Sequence, residues 1–180
     1  MAGTTRMSGL CGFSRLSVVS PLVMIENTVI ERSIAIASAC CFRHEVGGVL
    51  LGCYRAGTLH VTDATSPQKS DRWSPTRFWR FPAGHQTYAE TAWRRSNGIT
   101  THIGEWHSHA EPFPRPSIID RKSWAEALAE QRRAMAFLIV GTKSLHVSVG
   151  AGLGVVRELV EIQRDCRSTL FATRLHGIVA

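Results

Sequence analysis

Two segments of the chain carry five side chains whose types and spacing suit the hydrolysis of an amide. His107 and His109 are separated by one residue, Ser117 follows after seven more, and Asp120 follows after a further two. A catalytic zinc site takes three N or O ligands and keeps a fourth position for water, and two imidazoles with one carboxylate supply that set. The pattern therefore predicts one zinc ion per chain, held by His107, His109 and Asp120.

The zinc-activated water must also lose a proton, and the leaving amine must gain one. Glu45, in the run HEVGGVLLG at 44–52, is the candidate for both transfers. The Ser117 hydroxyl is expected to stabilise the oxyanion by about 3 kcal/mol and not to act as a nucleophile, so no acyl-enzyme is expected. Two simpler interpretations stay open: Ser117 and Asp120 form a helix-capping pair, and Glu45 is a solvated charge at a strand end.

The period of two in a strand over 101–109 would place both imidazoles on one face. Asp120 would reach them from a helix over 118–133, because the three prolines in 110–116 exclude helix and central strand there. Glu45 would stand at the entrance of a hairpin over 47–54 and 58–64. Elsewhere the pattern predicts strands at 22–26, 135–141, 144–149 and 153–161, helices at 28–41 and 84–96, and a loop at 66–82.

These residues resemble the motif of the JAMM metalloproteases, also called JAB or MPN-plus proteins. The family pattern of an upstream glutamate, H-x-H, seven residues, S, two residues and D maps onto Glu45, His107, His109, Ser117 and Asp120. The E-x-G-G-x-x-x-G run is most similar to a prokaryotic subgroup that includes the deconjugases of CBASS anti-phage operons and JAB proteins of integrative elements. One departure is that Ala110 stands where the family usually has a proline.

The resemblance implies an α/β (α+β) fold of the JAB/MPN, cytidine-deaminase-like type, with a mixed, mainly antiparallel β-sheet flanked by helices in a single domain. We expect the domain over 21–165, a flexible extension over 1–20, and a tail over 166–180 whose structure the sequence leaves open. The implied activity is that of a metallo-isopeptidase acting on a protein with an extended C-terminal tail. That protein is either ubiquitin-like or a conjugated nucleotidyltransferase that makes anti-phage cyclic oligonucleotides, with E1/E2-like proteins as operon partners.

Other functions stay open at this stage. One alternative is a peptidase that processes ubiquitin-like or sulfur-carrier precursors, and a non-enzymatic one is a scaffold or a basic nucleic-acid-binding module. The net charge of +7 suits nucleic acid, but the basic residues are scattered, and only the stretch 72–81 interleaves cations with aromatic rings. That stretch is expected to contact a protein substrate, to pack as an ordinary loop, or, as the weakest alternative, to bind nucleic acid.

The composition indicates a globular cytoplasmic protein. A chain of 180 residues with 44% hydrophobic content can bury a core, and no apolar run reaches the ~20 residues that a membrane-spanning helix needs. Five cysteines without a C-x-x-C pair are expected to be reduced thiols, and Cys41 is not expected to be catalytic.

The residues beside the predicted ligands have other expected places. Glu105 lies on the predicted ligand face, either as an acceptor that orients an imidazole or as a solvated charge, whereas Trp106 should point into the core. The remaining histidines lack ligand spacing and are expected to be surface or packing residues: His44, His60, His85, His102, His146 and His176.

Overall fold

A computed structural model describes residues 21–131, 133–151 and 155–174, and it places three helices around one large sheet. The strands are β1 (Leu22–Glu26), β2 (Gly47–Arg55), β3 (Thr58–Ala64), β4 (Arg72–Ser74), β5 (Arg77–Trp79), β6 (Thr101–Ser108), β7 (Met135–Val140), β8 (Leu145–Ala151), β9 (Val155–Arg164) and β10 (Ser168–Ala172). The helices are α1 (Asn27–Ala39), α2 (Pro82–Arg95) and α3 (Ile118–Gln131). No helix in these ranges is both long enough and apolar enough to cross a membrane.

Eight strands form one sheet that closes on itself in the order β1-β10-β9-β8-β7-β6-β2-β3. Only the β6–β7 and β1–β3 pairs are parallel, and the other neighbours run antiparallel. The predicted mixed α+β domain with a mainly antiparallel sheet is thus observed. The cytidine-deaminase-like assignment stays a prediction.

Strand β7 is packed on both of its faces. All six of its residues, MAFLIV, are buried, as expected for a strand packed on both sides. Alternate residues Ala136, Leu138 and Val140 join the main core that includes residues of α1. The intervening Met135, Phe137 and Ile139 pack with Trp124 and Leu128 of α3. Helix α3, which carries Asp120, therefore packs on one face of β7, the strand next to β6.

One region differs from the sequence expectation, and the structure assigns part of a second region that the sequence left open. The segment 66–82, predicted as a loop, contains a two-stranded sheet of β4 and β5. The region 166–180 was left open, and within its described part β10 pairs with both β1 and β9. The predicted extension over 1–20 lies outside the described residues, so the domain boundaries at 21 and 165 stay predictions.

Candidate zinc and catalytic site

Strand β6 brings two imidazoles together at its carboxyl end. His107 is on the strand and His109 just follows it, continuing the alternation because its N–H donates to Val140 O over 2.9 Å. Their Nε2 atoms lie 3.0 Å apart. Both side chains are nearly buried, 12% and 8% exposed, so they face each other in a site with little solvent.

Asp120 approaches the same point from the first turn of α3. Its Oδ1 lies 3.3 Å from His107 Nε2, and its Oδ2 lies 3.5 Å from His109 Nε2. Ser117 N–H donates to Asp120 Oδ2 over 2.6 Å, while Asp120 N–H donates to Ser117 Oγ over 3.1 Å. The capping interpretation therefore describes the geometry, and it coexists with the placement of Asp120 beside the two imidazoles.

The donor set fits zinc. Two ligand atoms held about 2.0–2.1 Å from a tetrahedral centre lie about 3.3 Å apart. The two Nε2 atoms lie 3.0 Å apart, and each lies 3.3 or 3.5 Å from a different oxygen of the Asp120 carboxylate. Within the described ranges, His107, His109 and Asp120 form the one group of three whose donor atoms converge in this way. Two nitrogens and one carboxylate oxygen leave room for water as a fourth ligand.

Glu45 reaches the site because β2 runs antiparallel to β6, with Gly47 opposite His107. The pairing extends past the strand ends, since Ser108 N–H donates to Val46 O over 2.8 Å and Val46 N–H donates to Ser108 Oγ over 3.1 Å. Glu45 Oε1 lies 3.7 Å from His109 Nε2. The two motifs, far apart in the sequence, thus meet at neighbouring strand ends.

The Gly-Gly pair after Glu45 allows this close approach. A Cβ on Gly47 would lie 2.3 Å from Trp106 O, and one on Gly48 would lie 2.3 Å from Thr65 O. Both distances are far below van der Waals contact with backbone that cannot move aside. A larger residue at Gly47 would therefore push β2 away from β6 and carry Glu45 away from His109.

The buried charges perturb one another. Burial raises the pKa of Glu45 above its ordinary value, although the neighbouring imidazoles of His107 and His109 oppose the shift. Burial would also raise the pKa of Asp120, but hydrogen bonds from both imidazoles and from Ser117 hold it well below its usual range. Burial would lower the pKa of His109, yet its hydrogen bond to Asp120 and the charge of Glu45 raise it. The cluster thus combines charges that stabilise one another.

A cleft of about 320 Å³ opens beside these side chains. One part of its wall is the segment 76–81, with the rings of Phe78 and Trp79, and another part belongs to α3, with Ile119 and Trp124. Glu45, Ser117 and Asp120 line the same cleft. An extended chain could lie between the walls and present a peptide or isopeptide carbonyl to this end.

The neighbouring candidates have other partners. Glu105 pairs with Arg80 Nη2 at 2.5 Å and therefore ties β6 to the 76–81 wall of the cleft. The carboxylate of Glu105, expected to orient an imidazole or to be solvated, thus has Arg80 as its partner. Trp106 is 1% exposed and its Nε1–H donates to Thr65 O over 2.9 Å, so it belongs to the core as expected.

Sequence reasoning missed a second polar cluster, formed by Thr65, Asp71 and His85 behind the 76–81 wall. Their side chains hydrogen-bond one another and are buried. His85 was expected to be a surface or packing residue, and its burial agrees with packing. No periodic spacing links the three positions, so the only signal was an Asp and a His at the two ends of a segment rich in Pro, Ser and charge.

Comparison with known proteins adds relatives of similar length. A Pseudomonas aeruginosa (strain BWHPSA011 / Pa011) protein named CD-NTase/cGAS isopeptidase is 37% identical over 121 residues, 65% of this chain and 77% of that protein. Proteins of the same name from Vibrio cholerae serotype O1 (35% over 122 residues, 68% and 78% of the two chains) and Escherichia coli (strain TW11681; 37% over 103 residues, 57% and 65%) are also similar.

The fold has a counterpart among solved structures. The solution structure of protein DSY2949 from Desulfitobacterium hafniense superposes with a TM-score of 0.56 at 22% identity, covering 76% of this chain and 88% of that one. This likeness concerns the fold alone. The family described as prokaryotic homologs of the JAB domain matches residues 28–151, a range that contains Glu45, the His-x-His strand and Asp120. The chain therefore belongs to the family of prokaryotic JAB-domain homologs.

Proposed function

We propose that this protein is a zinc-dependent isopeptidase that cleaves the amide between the C-terminus of a tailed protein and a lysine. The observation that carries the proposal is the convergence of His107, His109 and Asp120 beside Glu45 at the end of a cleft. The names of the three relatives favour a CD-NTase or cGAS-like enzyme as the tailed protein. An anti-phage setting and a cytoplasmic location, both predicted from the sequence, belong to the same proposal.

His107, His109 and Asp120 would hold the zinc ion. Bound zinc supplies Lewis-acid chemistry that makes water acidic enough to lose a proton near neutral pH. Glu45 takes that proton, and its position 3.7 Å from His109 Nε2 keeps it beside the ligand cluster without making it one of the three converging donors. The same carboxyl group then protonates the leaving lysine nitrogen, which completes the proton balance.

Ser117 stabilises the developing oxyanion. Its Oγ accepts the Asp120 N–H, which fixes the oxygen and leaves the hydroxyl proton free to be donated to the substrate carbonyl oxygen. Because Ser117 is a donor and not a nucleophile, the reaction proceeds without an acyl-enzyme. Labelling of Ser117 by serine-directed reagents, or burst kinetics, would contradict this role.

The cleft suits an extended tail more than a folded surface. Its lining includes the aromatic side chains of Phe78, Trp79 and Trp124, together with the paired side chains of Arg80 and Glu105. The tail of the conjugated protein would lie along this cleft with its last carbonyl at Ser117. The lysine and the protein that bears it would then lie on the other side of the ligand cluster.

The proposal is tested in native-host cells that express wild type, Glu45→Gln or the surface control Glu90→Gln. Glu45→Gln keeps the three zinc ligands and removes the proton acceptor, so lysine-linked conjugates should accumulate only in that strain. Mass spectrometry of branched lysine peptides would identify the tailed protein. Identical conjugate profiles in all three strains, with each protein folded and zinc-loaded, would refute deconjugation and favour processing of a linear precursor.

A further inference from the structure

Three polar side chains are buried together next to the 76–81 segment, and none of them lines the cleft. Thr65 is 1% exposed, Asp71 5% and His85 1%. His85 Nδ1 lies 2.6 Å from Thr65 Oγ1, and His85 Nε2 lies 3.0 Å from Asp71 Oδ2. A buried polar chain of this kind is costly unless every member is satisfied, so its partners must be accounted for.

The direction of each hydrogen bond follows from the backbone groups around it. Asp71 accepts Gln68 N–H at Oδ2 over 2.6 Å and Phe81 N–H at Oδ1 over 2.9 Å, so His85 Nε2–H is its third donor. His85 Nδ1 is then an acceptor for the Thr65 hydroxyl, whose oxygen accepts Val49 N–H over 2.9 Å. Every group is satisfied, and no substrate can reach Thr65, so the trio is not a second nucleophilic site.

What the network holds is the segment from Asp71 to Phe81. The Asp71 carboxylate stands at the start of the segment, where it also accepts the Gln68 N–H. It accepts the Phe81 N–H as well, so it joins the start of the segment to its end. The residues between form β4 and β5, and β5 lies in the 76–81 wall of the cleft. His85 and Thr65 connect that carboxylate to Val49 of β2, the strand that Glu45 precedes.

The segment from Asp71 to Phe81 contacts Glu45 and its neighbour His44 at two points. Glu45 N–H donates to Ser74 O of β4 over 3.1 Å, and the Trp73 ring stacks on His44 with centroids 5.3 Å apart. Glu45 is thus held by β6 on one side, through Val46 and Ser108, and by β4 on the other. Loss of the β4 contact would leave the Glu45 backbone attached on one side only.

We propose that Thr65, His85 and Asp71 are positioning residues for the reaction at Glu45. They fix β4 and β5, and with β5 the wall against which the tail lies. Through Ser74 O and Trp73 of β4, they also fix the Glu45 carboxylate, which moves the proton. The inference rests on the proposed isopeptidase function. Misplacement of a catalytic group by about 1 Å, from a change far from the chemistry, is enough to cost about a hundredfold in rate.

The test compares two substitutions at one buried position. Thr65→Val keeps the shape of the side chain but leaves Val49 N–H and His85 Nδ1 without their partner, whereas Thr65→Ser keeps the hydroxyl. The substrate is the set of lysine-linked conjugates purified from native-host cells that express Glu45→Gln. Zinc content, thermal unfolding, kcat, KM and amide hydrogen exchange are measured on each zinc-loaded protein.

Thr65→Val should lower kcat by about tenfold or more with a smaller change in KM, while Thr65→Ser stays within about twofold of wild type. Exchange of the Glu45 and Phe81 amides should rise by about tenfold in Thr65→Val, with exchange at Leu138 of β7 unchanged. A purely structural network would lower the unfolding temperature without these two local effects. A folded, zinc-loaded Thr65→Val with wild-type kcat and wild-type Glu45 exchange overturns the inference.

A second substitution covers the case in which Thr65→Val does not fold. Trp73 is 48% exposed, so Trp73→Ala leaves the core intact and removes only the stack on His44. It should also lower kcat and raise Glu45 exchange, by about threefold, and wild-type values for both would overturn the inference. Exchange needs no substrate: if the wild type cleaves no conjugate, the isopeptidase proposal fails while the exchange measurements still decide whether the network positions Glu45.

Discussion

Zinc should raise the thermal stability of the protein through the His107, His109 and Asp120 group, and removing Asp120 should abolish that gain. The two Nε2 atoms are 3.0 Å apart, and each lies 3.3 or 3.5 Å from one oxygen of the Asp120 carboxylate. These separations are close to the about 3.3 Å of a tetrahedral zinc site, so binding needs little rearrangement. At free zinc about 1,000 times the dissociation constant, a ligand that binds only the folded state adds about 4 kcal/mol. For a domain of this size that is a rise of about 8–16 °C in Tm.

The measurement is thermal unfolding of wild type, Asp120→Ala and Glu45→Gln, each zinc-loaded and each stripped with chelator. The readout is the difference in Tm between the zinc-loaded and the stripped form of each variant. This difference is needed because Asp120→Ala also destabilises the stripped protein by leaving His107 and His109 without their acceptor. Glu45→Gln retains all three ligands and should keep the wild-type increment within about 2 °C. A full increment in Asp120→Ala, or an increment below about 2 °C in wild type at saturating zinc, would refute the assignment of the ligands.

Three further outcomes follow from individual contacts. Ser117→Ala should lower kcat by about a hundredfold, the effect of one lost oxyanion donor, with zinc content unchanged, and a loss below about threefold in steady-state assays would count against the donor role. Leu128→Ala should lower the free energy of unfolding by about 2–5 kcal/mol in urea titrations, because Leu128 is 1% exposed and packs with Trp124 between α3 and β7. Burial lowers the pKa of His102, with Arg80 acting in the same direction and Glu105 opposing it. The unfolded state therefore takes up the proton first, so the stability present above pH ~6.5 should be lost as the pH falls through the lowered pKa. His102→Gln should flatten this dependence between pH 7.5 and 5, and an unchanged slope in the variant would contradict the assignment.

The predicted ligand set needed little beyond local periodicity. One residue between His107 and His109 places both on one strand face, and a helix start after three prolines places Asp120 within reach. These rules act over about fifteen residues, a range in which backbone geometry decides where side chains point. Placing Glu45 beside them was a different kind of prediction, because it depended on β2 pairing with β6, and the family resemblance supplied that neighbour relation.

The sheet was harder to predict where strands are short or half-exposed. Strand β7 is a continuous apolar run and was recognised to within a residue. Strand β10 has only five residues with alternating burial, and its place depends on pairing with β1, more than 140 residues earlier in the chain. Closure of the sheet between β1 and β3 is also a long-range pairing, and no single segment carries a signal for it.

The segment 66–82 shows why polar, irregular sequence can still be tightly placed. Its Pro, Ser and charged residues predict a loop, yet Asp71 is almost completely buried because two backbone N–H groups and His85 converge on its carboxylate. A buried carboxylate is tolerated only when such donors are in place, so the fold must bring 68, 81 and 85 together before the segment can order. Asp71→Asn offers one acceptor oxygen where the network uses two, so it should loosen β4 and β5 together. Order in this wall therefore depends on the contacts that Gln68, Phe81 and His85 make with Asp71, and not on the propensities of its own residues.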